Sequence, residues 1–101
     1  MICYDMIMET ASRLERIFKG LGNRRRLAII QLLCKERELP VAEIARRIHL
    51  SFTSTSKHLT LLRHLDIVDR RQESLTVYYR LGENLPSAVR RVLATVSNSR
   101  E

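Results

Sequence analysis

No apolar run in this chain of 101 residues approaches the roughly 18–20 residues that a membrane-spanning helix requires. Met1 to Met8 lacks the basic start and long apolar stretch of a secretory signal, so a soluble, cytoplasmic protein with no membrane partner is the expectation. The two cysteines, Cys3 and Cys34, are uninformative by number, and without a secretory signal they are expected to be reduced thiols. Three glycines and two prolines leave no Gly/Ser linker, repeat or low-complexity tract, and the length suits one compact domain over residues 1–101. Enzyme signatures are missing too: there is no Gly-rich phosphate loop, no His-Glu-x-x-His and no Cys/His pairing at catalytic spacing. A small basic helical domain also has few places for a concave pocket. Neither enzymatic activity nor a cofactor is expected.

What the chain does contain is positive charge. Eighteen Lys and Arg stand against 11 Asp and Glu, a net charge of +7, and 15 of the 18 cations are Arg. The planar guanidinium fork grips phosphate and guanine edges bidentately. The charge is unevenly placed: residues 1–22 are neutral, 23–50 carry +4, 51–81 carry +2 and 82–101 carry +1. Such a field points to a polyanionic partner, with nucleic acid ahead of a membrane surface.

Hydrophobic spacing gives the order of elements. Ile7, Ala11, Leu14, Ile17 and Phe18 recur at helical intervals, which predicts a first helix over about 6–20, ended by Gly20 and Gly22. Asn23 offers an N-cap to a second helix with the stripe Leu27, Ile30, Leu33 and Cys34, and Pro40 bars its continuation. A short third helix turns Val41, Ile44, Ala45 and Ile48 inward and Arg46 and Arg47 outward. Ser51 caps a fourth, joined to the third by His49-Leu50-Ser51 at helix-turn-helix length. The period then changes to two. Residues 67–71 and 75–80 read as a hairpin separated by Gln72-Glu73-Ser74, with Arg70 and Arg71 near its tip. Pro86 opens a last helix, within about 84–97, carrying Val89, Val92, Leu93 and Val96. The expected fold is mainly α with a small β-hairpin, a winged helix-turn-helix of order ααααββα.

At about 100° per residue, Phe52, Thr55, Leu59 and Leu62 of the fourth helix fall within about 80° of one another, the expected buried stripe. Thr53, Lys57, Thr60 and His64 lie opposite, with Ser56 and Arg63 on one flank and Ser54 on the other, and no acidic residue occurs from Ser51 to Leu65. A merely solvated face is the alternative, but such faces usually include Glu and better helix formers than Ser and Thr. Short hydroxyls admit close approach to a groove floor, and Lys57 and Arg63 supply cations for guanine or phosphate. Arg24 and Arg25 oppose the dipole of the helix they open, which suggests a phosphate or an acidic partner rather than an ordinary first turn. Arg70 and Arg71 either blunt a hairpin edge or track the DNA backbone. The candidate DNA-binding set is therefore Ser51, Thr53, Ser54, Ser56, Lys57, Thr60, Arg63 and His64, with Arg70, Arg71, Arg24 and Arg25.

The stretch from about Leu14 to Leu81 resembles the ArsR/SmtB family of dimeric winged-helix repressors. Leu21 to Ile30 is similar to the family's "L-x-x-x-x-R-L-x-I-L", and Leu50-Ser51-Phe52-Thr53-Ser54-Thr55-Ser56-Lys57-His58-Leu59-Thr60-Leu61-Leu62 to its "L-S-Q-S-x-V-S-x-H-L-x-x-L". Glu38 to Ala45 and Val77-Tyr78-Tyr79-Arg80-Leu81 resemble the approach to its third helix and the end of its wing. The resemblance implies a homodimer through the terminal helices, here Ile7, Leu14 and Phe18 with Val89, Leu93 and Val96; purely intramolecular packing of the last helix is the alternative. Two recognition helices would then read an imperfect palindrome of double-stranded DNA at about 34–36 Å spacing. Repression by occlusion is the expected mode, and a protein-interaction or RNA-binding module with basic faces the alternative. Metal-sensing members carry Cys-Val-Cys where this chain has Pro40-Val41-Ala42, and carboxylate and His ligands on a last helix that here has neither Asp nor His, so no metal site is expected. His58 is read as a hydrogen-bonded packing residue, and a Cys3–Cys34 redox pair as an outside alternative.

Overall fold

A computed structural model describes residues 3–97. Its order is α1 (Tyr4–Leu21), α2 (Arg24–Lys35), β1 (Leu39–Pro40), α3 (Val41–Arg47), α4 (Phe52–His64), β2 (Val68–Glu73), β3 (Thr76–Leu81) and α5 (Ser87–Ser97). This is the mainly helical winged helix-turn-helix, with one strand more than the hydrophobic pattern suggests. Leu39 and Pro40 pair antiparallel with Tyr79 and Tyr78, giving a three-stranded sheet of order β1-β3-β2. A two-residue strand is too short to show a period, and Pro40 is tolerated because β1 lies at the sheet edge.

The helix boundaries follow from side chains and backbone that satisfy terminal groups. The Asn23 side-chain oxygen accepts from the Arg25 N–H at 2.9 Å and the Arg26 N–H at 3.1 Å, and the Ser51 hydroxyl accepts from the Ser54 N–H at 3.1 Å. α3 and α4 end alike. After α3 the His49 N–H donates to the Arg46 carbonyl and the Leu50 N–H to the Ala45 carbonyl. After α4 the Asp66 N–H donates to the Arg63 carbonyl and the Ile67 N–H to the Leu62 carbonyl. His49 and Asp66 take φ of 56° and 62°, so both turns are Schellman caps built without glycine. The first of them sets the turn between α3 and α4.

The hairpin departs from its expected bounds. β2 and β3 run through Glu73 and from Thr76, so the turn is Ser74-Leu75, with Ser74 at φ 59°. Arg70 and Arg71 face Tyr79 and Tyr78 in mid-strand rather than at the tip, which Leu75 occupies at 95% exposure. Beyond the half-buried Val77 and Tyr78 the wing is exposed on both faces, so Gln72 and Glu73 carry no alternation to reveal them as strand.

The core unites Ile29, Ile30 and Leu33 of α2, Ile44 of α3, Leu59 and Leu62 of α4, Ile67 of the bend before β2, Val68 and Tyr79 of the sheet, and Val89 and Leu93 of α5. α5 packs on α2, and Val89 and Leu93 are buried within the protomer, so these two do not form a surface for a partner. Of the other residues expected at a dimer interface, Ile7 and Phe18 are exposed, Leu14 is half-buried, and the side chain of Val96 lies outside the described residues. Gly82 permits the return from the wing: its N–H donates to the Ile67 carbonyl at 2.9 Å, and a Cβ there would meet the Asp66 carbonyl oxygen at 2.8 Å.

Thr55 is the exception within the core. It is fully buried, and its hydroxyl has no hydrogen-bond partner. An unpaired buried hydroxyl costs about 1–3 kcal/mol, and valine has nearly the same shape. Thr55→Val is expected to raise the unfolding free energy by about 1 kcal/mol, measured by urea denaturation at fixed protein concentration.

Candidate nucleic-acid interface

The rotation of α4 is set by Thr55, Leu59 and Leu62, all buried in the core. Ser51, Thr53, Lys57, Thr60, Arg63 and His64 consequently face solvent, with Ser54 and Ser56 half-buried at the margins. Phe52 departs from its expected place. It is 58% exposed and shares a shallow concavity of about 440 Å³ with Thr53, Ser56, Lys57 and Thr60. On a wheel it belongs with Leu59, but as the first residue after the Ser51 cap it lies one turn before Thr55, the first residue of α4 to be buried.

Two further hollows hold other candidates. One, of about 560 Å³, lies between the end of α4 and the wing and is lined by Arg63, His64, Asp66, Val68, Asp69, Arg70 and Arg80. The other, of about 250 Å³, brings Arg24, Arg25 and Ala28 of α2 to Ile48 and His49 of the helix-turn-helix turn. Candidates from three distant parts of the sequence thus line two hollows, one at the end of α4 and one at the turn that precedes it. Arg80 was not anticipated, because only the register of β2 with β3, which sets it opposite Asp69, brings it there. Nor was Leu75 at the wing tip.

Several cations are already engaged. Arg71 donates to both Glu38 oxygens at 3.1 and 2.8 Å and to Glu73 at 2.7 Å, and its guanidinium lies 4.5 Å from the centroid of the Tyr78 ring. It therefore clamps the wing to the segment before β1, and holds the Glu38 carboxyl below its usual range through the hydrogen bond between them. Of the residues expected to face DNA it is therefore one already engaged within the chain, though its side chain stays 46% exposed. Arg46 and Arg47 both bond Glu43, whose pKa falls to about 2 through those bonds, and Arg47 also reaches Glu36. Arg26 donates to the carbonyls of Gly20 at 2.6 Å and Lys19 at 3.2 Å and lies 3.3 Å from His58 Nδ1, tying the end of α1 to α4. Among the described residues Arg24, Arg25, Lys57, Arg63 and Arg70 enter no ion pair.

No three His, Cys, Asp or Glu residues cluster as metal ligands among the described residues. Pro40-Val41-Ala42 and the pairing of Glu83 with Arg80 provide nothing that would hold the metals sensed by thiolate or carboxylate–imidazole sites. Cys3 is exposed before α1, and Cys34 is half-buried in α2 with its thiol pushed up by burial.

The family profile described as the bacterial regulatory protein ArsR family matches residues 23–70, from the Asn23 cap to the middle of β2. The transcriptional activator HlyU of Vibrio cholerae is 39% identical over 66 residues, 65% of this chain and 60% of that protein. A homodimeric winged helix-turn-helix DNA-binding domain from Mycobacterium bovis is 30% identical, with a TM-score of 0.78 over 97% of this chain and 87% of that one. The chain belongs to the ArsR family. NolR from Sinorhizobium fredii is similar in fold across 97% of this chain and 94% of its own, with a TM-score of 0.80 at 28% identity. The first curated relatives of this ArsR-family chain are longer than the match, which spans 52–65% of their length.

Within this ArsR-family helix-turn-helix, His58 carries a pH consequence. Burial, and then the charges of Arg26 and Arg25, hold its imidazole below the ordinary value of 6.5. As pH falls through 6.5 the unfolded chain takes up this proton before the folded one, so stability present above 6.5 declines until the lowered folded value is passed. Urea denaturation between pH 8 and pH 5 is expected to show this decline, with a shallower slope in His58→Gln.

Proposed function

We propose that this chain is a homodimeric transcriptional regulator that binds double-stranded DNA sequence-specifically, with α4 in the major groove. The observation that carries the reading is the face of α4. From Ser51 to Leu65 it holds hydroxyls, Lys57 and Arg63 with no acidic residue, bordered by unpaired Arg24 and Arg25 on one side and Arg70 on the other. Phosphate contacts from the bordering cations would position the protein, and the α4 side chains would read base edges.

The dimer is supported by α1. Tyr4, Ile7, Ala11, Leu14 and Phe18 fall within about 80° on a helical wheel, and Tyr4, Ile7 and Phe18 are 74%, 53% and 52% exposed. Only Ile17 and Leu21, at the margin of this stripe, enter the protomer's own core, so its exposed part is available to another copy. The Mycobacterium bovis neighbour is described as a homodimer. A two-fold pair reads an imperfect palindrome. Occlusion of a promoter would repress, and the position of the operator would set the sign of control.

Lys57→Ala and Arg63→Ala are each expected to weaken binding to a selected operator by about 5- to 100-fold, the range for losing one good base or phosphate contact. Circular dichroism and melting temperature should stay unchanged. Wild-type affinity should fall steeply between 50 and 200 mM salt. Unchanged operator binding by both variants in gel shifts would overturn the assignment of α4. A preference for an acidic protein or an RNA over every duplex would favour the interaction-module reading. Phe18→Asp is expected to convert the dimer to a folded monomer by sedimentation; a dimer that survives this change would remove α1 from the interface.

A further inference from the structure

Resting on the DNA-facing reading of α4, we propose that Phe52 is a specificity-determining residue that reads the C5-methyl group of thymine in the major groove. Its ring is 58% exposed at the first position of α4, although the wheel offers it a place beside Leu59. It shares its concavity with Thr53, Ser56, Lys57 and Thr60, so the largest apolar group there stands among hydroxyls, small methyls and an ammonium. Recognition helices contact base edges through their N-terminal residues, which is where Phe52 lies.

The chemistry of the groove then selects the target. A phenyl ring neither donates nor accepts a conventional hydrogen bond, so it cannot satisfy the polar edges of guanine, adenine or cytosine, and covering them would leave those groups unpaired. The one apolar group that a base pair displays in the major groove is the thymine methyl. A glutamine at this position would favour adenine instead, so the identity of residue 52 sets which base is preferred there.

Duplexes selected from a random library with the full chain should show a thymine in each half-site at the position nearest the start of α4. Replacing that thymine by deoxyuridine, which removes only the methyl, is expected to weaken binding about 4-fold per half-site, the value of one buried methyl-sized group. Replacement by cytosine should weaken it further, and 5-methylcytosine should recover part of the loss. Phe52→Ala should lose the distinction between thymine and deoxyuridine at this position while keeping the other positions of the consensus. Phe52→Gln should shift the selected base there toward adenine. Because Phe52 is exposed, both variants should melt as the wild type does. Equal binding of thymine and deoxyuridine duplexes by the wild type, or a thymine preference that survives in Phe52→Ala, would overturn the proposal. If the full chain enriches no duplex at all, the DNA-binding reading itself fails, and the assignment of Phe52 with it.

Discussion

Burial of Leu59 and Leu62 in the common core is the contact on which the presentation of this molecule depends. Both side chains are fully buried, so rotating α4 by even one residue would drive a leucine into solvent and a hydroxyl or a cation into the core. Each such exchange costs about 1.5–3 kcal/mol in lost burial, before the penalty for the polar group is added. That is a large part of the stability a domain of this size can have. The outward face is thereby fixed without any contact of its own. Two Schellman turns, at His49 and Asp66, then set where α4 begins and how the chain leaves it for the wing.

Charge is divided between holding the fold and facing outward, and composition alone does not show the division. Arg26, Arg46, Arg47, Arg71 and Arg80 are each tied to acceptors within the chain. Exposed pairs of this kind add little stability individually. Their consequence here is spatial: the acidic groups Glu36, Glu38, Glu43, Glu73 and Glu83 are neutralised beside their own arginines, and none stands on the outer face of α4. The Arg71 clamp, with Glu38 before β1 and Glu73 in β2, also fixes the wing relative to the body of the domain.

Helix order, both caps and the inward residues of α3 were legible from spacing, because a 3.6-residue period repeated over two or more turns is a strong signal and Asn23 and Ser51 are specific cap residues. What was illegible depended on partners distant in sequence. β1 has two residues, and only Tyr78 and Tyr79, about forty positions on, make it a strand. Arg71 reads as a free cation until Glu38 is brought to it, 33 residues away. Phe52 has the angle of a core residue on a wheel, but a wheel has no axial coordinate and cannot show that the first turn lies beyond what covers the rest. The same limit applied to α5, whose apolar stripe is equally suited to a partner or to its own protomer; packing against α2 assigns Val89 and Leu93 to the latter.

That assignment leaves α1 as the helix with apolar surface to offer the proposed dimer. α1 is apolar over more of its surface than its own domain covers. Ile17 and Leu21, in its last two turns, enter the core, while Tyr4, Met6, Ile7 and Met8 in its first turns remain exposed. Gly20, buried where a Cβ would collide with the Leu65 side chain, brings the end of α1 down onto the end of α4. Arg26 bonds the carbonyls of Lys19 and Gly20 and at the same time reaches His58 on α4. The end of the helix with the exposed apolar stripe is thus linked, through Arg26 of α2 and through Gly20, to the helix with the cationic face. A second copy docked on α1 would therefore set the spacing and orientation of the two α4 helices through a short path of direct contacts, with α5 supporting that path from the core.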